Sequence, residues 1–206
     1  MDLTRPSAAI LGELDGAVLT VLAGTARPLT GREISRLAGR RSHSGVLLVL
    51  TRLARHGLVD VQEAGRALLY TLNREHLATP AVELLTSMRA ELFDRIRASA
   101  LAWAVTPVHL SVFGSAARGD GDTESDVDLF LVRPTETDEE EAAWLEQRAE
   151  LSDHVYHWSG NHAAISEMSE ASLMQLRRRR PPIVAALRRD AVVLIGPPIR
   201  VLMGDV

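Results

Sequence analysis

The chain has 206 residues, 46% of them hydrophobic and 24% charged, with a formal net charge of −4. That is enough for one large or two small globular domains and excludes a disordered tail or a disulfide-stapled miniature. It has no cysteine and no lysine, which removes disulfides, thiolate metal sites, a cysteine nucleophile, Schiff-base chemistry and any phosphate loop built around a lysine.

Charge is unevenly spread. Residues 1–78 sum to +3 and residues 79–206 to −7, the pattern of a basic module for polyanions joined to an acidic one for cations. No apolar run approaches the roughly 18 residues a membrane span needs, and Met-Asp-Leu-Thr-Arg-Pro lacks a signal-peptide layout. A cytoplasmic protein with no membrane partner is expected.

The first elements are helical. Residues 10–23 place Leu14, Val18, Val21 and Leu22 at helical spacing, with Gly24 as the stop. Thr30-Gly-Arg-Glu33 is a capping box opening a short helix with Ile34, Leu37 and Ala38 inward. After a turn at Gly39, Ser42 is placed to cap a third helix to His56, whose stripe is Val46, Leu47, Leu50 and Leu53. Leu58–Gln62 and Ala67–Leu72 then read as a hairpin around Ala64-Gly65-Arg66.

Helix, short helix, turn, third helix and hairpin, over residues 10–75, resemble the winged helix-turn-helix family of DNA-binding regulators. The resemblance implies double-stranded DNA as partner. It points to Arg40, Arg41, Ser42, His43 and Ser44 at the start of the third helix, Arg52 along its face and Arg66 at the wing tip as the contacts to phosphates and base edges. Solvated loop charges on a protein-contact module are the alternative, and the apolar surface that Leu48 and Val49 add to the third helix favours it.

From Pro80 to Trp103, apolar residues Leu85, Met88, Leu92, Ile96 and Ala100 recur every three or four positions. One long amphipathic linking helix over residues 79–103 is expected, serving either a domain core or a homodimer seam. The domains are thus 1–78, the linking helix 79–103, and 104–206.

Beyond it, the strand Val108–Phe113 runs into Gly114-Ser115-Ala-Ala-Arg118-Gly119, and a polar loop leads to Ser125-Asp126-Val127-Asp128-Leu129 at the head of a second strand. Asp120 stands where a Walker-type loop requires lysine, and no GxGxxG opens a helix here. Asp126 and Asp128, two apart on a strand, project from one face. Adjacent carboxylates repel unless a divalent cation offsets the charge, so Mg²⁺ or Mn²⁺ with hard oxygen ligands is the natural occupant. The Gly114-Ser115 turn offers N–H groups and a hydroxyl suited to phosphate.

These residues resemble the signature of the DNA polymerase beta-like nucleotidyltransferase superfamily, nearest its minimal branch, over residues 104–196. The resemblance implies an α/β domain with a mixed sheet, so that the whole chain is an α+β two-domain protein. It also implies transfer of a nucleoside monophosphate from a nucleoside triphosphate to an acceptor hydroxyl. Asp126 and Asp128 become metal ligands and catalytic residues, Gly114 and Ser115 contact phosphate, Arg118 neutralises it, and Ser125 shapes the turn. The family's third carboxylate falls in the strand expected over 162–168, where Glu167 is the only acid. If Glu167 does not serve, a non-catalytic nucleotide sensor is the alternative, and an antitoxin-like interaction module a third.

Three further features carry plainer readings. His154, His157 and His162 straddle a helix end and a turn, which suits structural or solvated roles better than a metal cluster. The run Arg177–Arg180 complements a helix C-terminus before Pro181-Pro182, or holds an acidic acceptor or nucleic acid. Asp138–Glu141 is a helix-start charge run.

Overall fold

Glycines and hydroxyl residues cut the apolar pattern into shorter pieces than its periodicity suggests. In the computed structural model, which describes residues 1–39, 41–179 and 181–204 and only the backbone of Met174, Leu176, Arg177 and Arg178, the first helix is two: α1 (Ala8–Leu11) and α2 (Glu13–Ala23). Gly12, at φ +79°, separates them. Then come β1 (Leu29–Thr30), α3 (Gly31–Leu37), α4 (His43–Arg55), β2 (Val59–Ala64), β3 (Ala67–Leu72) and α5 (Thr79–Thr86).

The capping box forms as expected, with Thr30 Oγ1 accepting from the Glu33 amide at 3.2 Å and Glu33 accepting from the Thr30 amide at 2.8 Å. Ser42 differs from expectation. Its hydroxyl makes no cap and pairs with Ser44 Oγ at 2.9 Å. β2 and β3 pair antiparallel around Gly65, and β1, too short to read from the sequence, joins the other edge of β3. Val18, Leu22, Ile34, Val46, Leu50 and Tyr70 form the core. Burial of one stripe from each short helix supplies the stability that their length cannot.

The expected long linking helix is broken at Ser87 into α5 and α6 (Met88–Leu101). Thr86 Oγ1 turns back to the Val82 and Glu83 carbonyls and Ser87 Oγ to Leu84, so the hydroxyls share the last-turn acceptors with the Ser87 amide, which bonds Glu83 and Leu84. The chain forms two compact units, Arg5–Arg89 and Met1–Thr4 with Ala90–Val206. Val82 of α5 belongs to the first core and Leu92, Ile96 and Ala100 of α6 to the second. Of the two roles expected for this stripe, the α6 part takes the domain core.

The second unit continues with β4 (His109–Phe113), α7 (Gly114–Arg118), β5 (Val127–Arg133), α8 (Ala142–Ser159), β6 (Ala163–Ser169), α9 (Glu170–Arg179), α10 (Pro182–Asp190), β7 (Val192–Ile195) and α11 (Ile199–Leu202). The sheet is mixed, in the order β6-β5-β4-β7, with β5 parallel to β6 and the other pairs antiparallel. Strand alternation gives it two faces. Val127, Leu129 and Leu131 pack with Trp144, Leu151 and Val155 of α8 and with α6. Phe113, Phe130 and Val132 pack with α9, α10 and α11 through Leu173, Val184, Leu187 and Ile199. No helix among the described residues is long and apolar enough to cross a membrane.

Candidate functional site

The second face of the sheet ends in the carboxylate pair. Phe113 of β4 is in register with Asp128 of β5, so the chain leaves β4 directly above that carboxylate. Gly114 makes the turn at φ +68°, and a Cβ there would overlap Asp128 Oδ2. Glycine thus answers two demands, the backbone angle and the close approach. The short α7 that follows has no side-chain cap on its first turn, which leaves its amides for a ligand.

Asp126 sits at the mouth of β5, exposed, two residues from half-buried Asp128. Burial, and then the negative charge of Asp126, raise the Asp128 carboxyl above the ordinary aspartate range; Arg118 opposes this weakly. A site that makes ionisation of its own carboxylate costly fits a divalent cation, whose charge reverses that cost. Mg²⁺ is commonly held by one or two protein carboxylates plus substrate phosphates, and two carboxylates are what this face supplies.

The turn residues around the pair are held by one another. Gly121 folds over Ser115, and a Cβ on it would come within 2.9 Å of Ser115 Oγ and 3.2 Å of Ser125 Cβ. Ser125 Oγ donates to Asp122 Oδ1 at 2.8 Å and accepts from the Asp122 amide at 3.0 Å, shaping the turn before the carboxylates. Arg118 is held by Asp120 (2.8 Å) and Asp190 (2.7 Å). Arg189 first and Arg118 second bring the Asp190 carboxyl down to about 2. Arg118 thus ties the end of α7 to the end of α10.

Glu167 is not brought to the pair. The register sets Asp128 beside Ala164 and Leu131 beside Glu167, which puts Glu167 on the opposite face. There it is buried, with Arg133 Nε at 2.8 Å and Arg148 Nη1 at 3.0 Å. Among the described residues no group of three or more His, Asp or Glu side chains is placed to hold a metal ion. His154 stacks on Trp158 and His162 on Tyr156, away from any shared site. Arg180 of the expected arginine run lies outside the described residues, as do the side chains of Arg177 and Arg178.

In the N-terminal unit, Arg40 lies outside the described residues. Arg41 pairs with Glu13 at 2.6 Å and Arg52 with Asp15, so two of the expected cations are already matched by α2. Ser42, His43, Ser44 and Arg66 are exposed. Sequence reasoning missed Arg32, which with His43 and Arg66 lines a groove of about 650 Å³ floored by Leu47, Leu68 and Tyr70. Its spacing to Arg36, one helical turn along α3, was the available signal. Neither Arg32, Arg36 nor Arg66 has an acidic partner among the described residues.

Residues 98–161 match the family model of a nucleotidyltransferase domain. The match runs from the end of α6 through β4, α7, β5 and α8 and stops before β6, the strand that carries Ala164 and Glu167. No curated protein and no solved structure matches the chain.

Proposed function

We propose that the C-terminal unit binds a nucleoside triphosphate with a divalent cation, Mg²⁺ or Mn²⁺, and transfers its nucleoside monophosphate to an acceptor hydroxyl. The observation that carries this reading is the close seating of the Asp128 carboxylate against Gly114, with the charge of Asp126 near enough to raise its pKa. The acceptor oxygen attacks the α-phosphorus, the bond to the β-phosphate oxygen breaks, and pyrophosphate leaves in line. Asp126 and Asp128 would hold the cation, which would supply neutralisation of the charge that develops on the phosphates; Gly114 and the first amides of α7 would lie against the phosphates, with Ser115 beside them.

One observation favours a second reading, a nucleotide sensor without turnover. The place on β6 level with Asp128 is Ala164, and the one acid of that strand is tied to Arg133 and Arg148. The test is incubation with cell extract, Mg²⁺ and each α-labelled triphosphate, comparing wild type with Asp126→Asn/Asp128→Asn. Label transferred by wild type alone supports the transferase. Cation-dependent binding with no transfer supports the sensor, and no difference between the two proteins removes both.

For the N-terminal unit we propose a winged-helix module that binds double-stranded DNA and makes the chain a transcription regulator. The order of α2, α3, α4 and the β2–β3 hairpin supports it, as does the unmatched charge of Arg32 and Arg66 lining the groove beside α4, with Arg36 one turn further along α3. Binding to the DNA upstream of its own gene, falling steeply with salt, is the expected result; salt-independent or undetectable binding supports a protein-contact module instead.

A further inference from the structure

Asp126 is exposed and lies outside the strand, so its own side chain does nothing to fix it, yet the peptides on both sides of it are held. The Ser125 carbonyl accepts from Asn161 Nδ2 at 2.9 Å, and the Val127 amide donates to the His162 carbonyl at 2.8 Å. The same Asn161 amide group reaches the Thr123 carbonyl at 3.4 Å. One turn, Gly160-Asn161-His162, therefore clamps the loop immediately before and after the exposed carboxylate.

Asn161 is itself a buried polar side chain, 3% exposed. Gly160, at φ +73°, ends α8 and turns the chain toward it. The Asn161 backbone amide donates to Ser159 Oγ at 3.1 Å, and its Oδ1 accepts from the Met1 nitrogen at 2.8 Å. The first residues close the other side of the loop. Leu3 is buried in the core of this unit and Thr4 Oγ1 donates to the Gly121 carbonyl. The loop from Gly119 to Asp126 is thus gripped at Gly121, Thr123 and Ser125 by groups outside it.

We infer that Asn161 is a positioning residue for the cation site, holding Asp126 at the distance from Asp128 that one metal ion requires, with residues 1–4 as a strap over the same loop. The inference rests on the reading of Asp126 as a cation ligand. Its energetic logic is preorganisation: a ligand on a free loop would have to be ordered at each binding event, and that cost would emerge as weaker affinity.

The test compares Asn161→Ala and the nearly isosteric Asn161→Asp, which keeps the acceptor for the Met1 nitrogen but loses the donor to Ser125, with Gln147→Ala. Gln147 bonds to Val105 elsewhere in the unit and controls for general destabilisation. Hydrogen exchange is read along the chain, and Mn²⁺ affinity by electron paramagnetic resonance. Both Asn161 variants raise exchange at residues 119–127 at least tenfold and weaken Mn²⁺ about tenfold, while Gln147→Ala lowers the melting temperature and changes neither. Unchanged protection of that loop, or a rise in exchange spread evenly over the whole unit, overturns the inference. If wild type and Asp126→Asn bind Mn²⁺ equally poorly, the cation reading is what fails, and the exchange pattern alone decides the role of Asn161.

Discussion

Gly114 lies against Asp128 so closely that any side chain at the glycine would displace the carboxylate. The two are joined by register, since Asp128 stands opposite Phe113, the last residue before the turn. Gly114→Ala adds a Cβ at φ +68° and pushes Asp128 aside, costing roughly 2 kcal/mol of folding stability from strain and overlap. Titration with Mn²⁺ and a triphosphate, alongside chemical denaturation, should show binding lost together with stability. Retained binding would mean the turn does not frame the site.

Burial first, and then the charge of Asp126, make ionisation of Asp128 costly in the folded protein. Its raised folded-state pKa means that the stability it contributes is present below the unfolded aspartate value and is lost as pH rises through the folded one. Removing the charge without changing shape should therefore help the metal-free protein. Asp128→Asn is expected to raise the melting temperature of the metal-free protein at neutral pH while losing the further rise that Mg²⁺ gives the wild type. Calorimetry with and without Mg²⁺ checks both signs, and a destabilised metal-free variant contradicts the account.

Much of this site was legible because it is local. The turn at Gly114-Ser115 and the alternation of Asp126, Val127 and Asp128 depend on neighbours a few residues apart. Glu167 misled because its role depends on which face of β6 packs inward. Ile165 has the same parity and is the one branched apolar residue in that strand, so period two already tied Glu167 to the α8 side. The pairing of Arg41 and Arg52 was hidden for a different reason. Their partners Glu13 and Asp15 lie on a helix that only tertiary packing brings near, and no spacing in the sequence reports that. The break at Ser87 shows a third limit: apolar periodicity continues through a Thr-Ser pair whose hydroxyls compete for the helical acceptors.

Glu167 is expected to matter for folding and not for nucleotide binding. Glu167→Gln takes from buried Arg133 and partly exposed Arg148 the carboxylate they share, leaving Arg133 only the exposed Glu139 at 3.7 Å, and breaking such a buried pair costs about 3 kcal/mol. Mn²⁺ affinity at the opposite face should stay within twofold. Urea denaturation and metal titration of the same sample separate the two effects, and a large loss of affinity with little loss of stability would return Glu167 to the site.

On the N-terminal unit, Arg32→Ala/Arg66→Ala should weaken DNA binding and lower the slope of log affinity against log salt by about 2, since each phosphate that an arginine no longer neutralises removes about 0.9. Arg52→Ala should change that slope far less, because Asp15 already matches its charge. Fluorescence anisotropy over a salt series reads both, and equal slopes for all three proteins would place the DNA-binding surface elsewhere.

His109 gives the second unit an acid-sensitive core. Its ring is fully buried on the β4 face that Asp128 shares, with Nε2 3.0 Å from Ser111 Oγ and the Phe130 ring at 5.9 Å. Burial lowers its pKa to about 4 from the ordinary 6.5, partly opposed by the Pro197 backbone. The unfolded chain therefore takes up a proton that the native core refuses. Stability is full above pH 6.5 and falls as pH drops from 6.5 to about 4, by roughly 3 kcal/mol in total. Asp190, held down to about 2, contributes its loss only in more acidic solution, so the two windows do not coincide. All three tryptophans, Trp103, Trp144 and Trp158, lie in this unit, and their fluorescence follows its unfolding without interference from the other. Urea midpoints measured from about pH 7.5 to about pH 4 should fall steadily for wild type and much less for His109→Phe, which removes the titrating group; parallel curves would show that the acid sensitivity resides in the carboxylates.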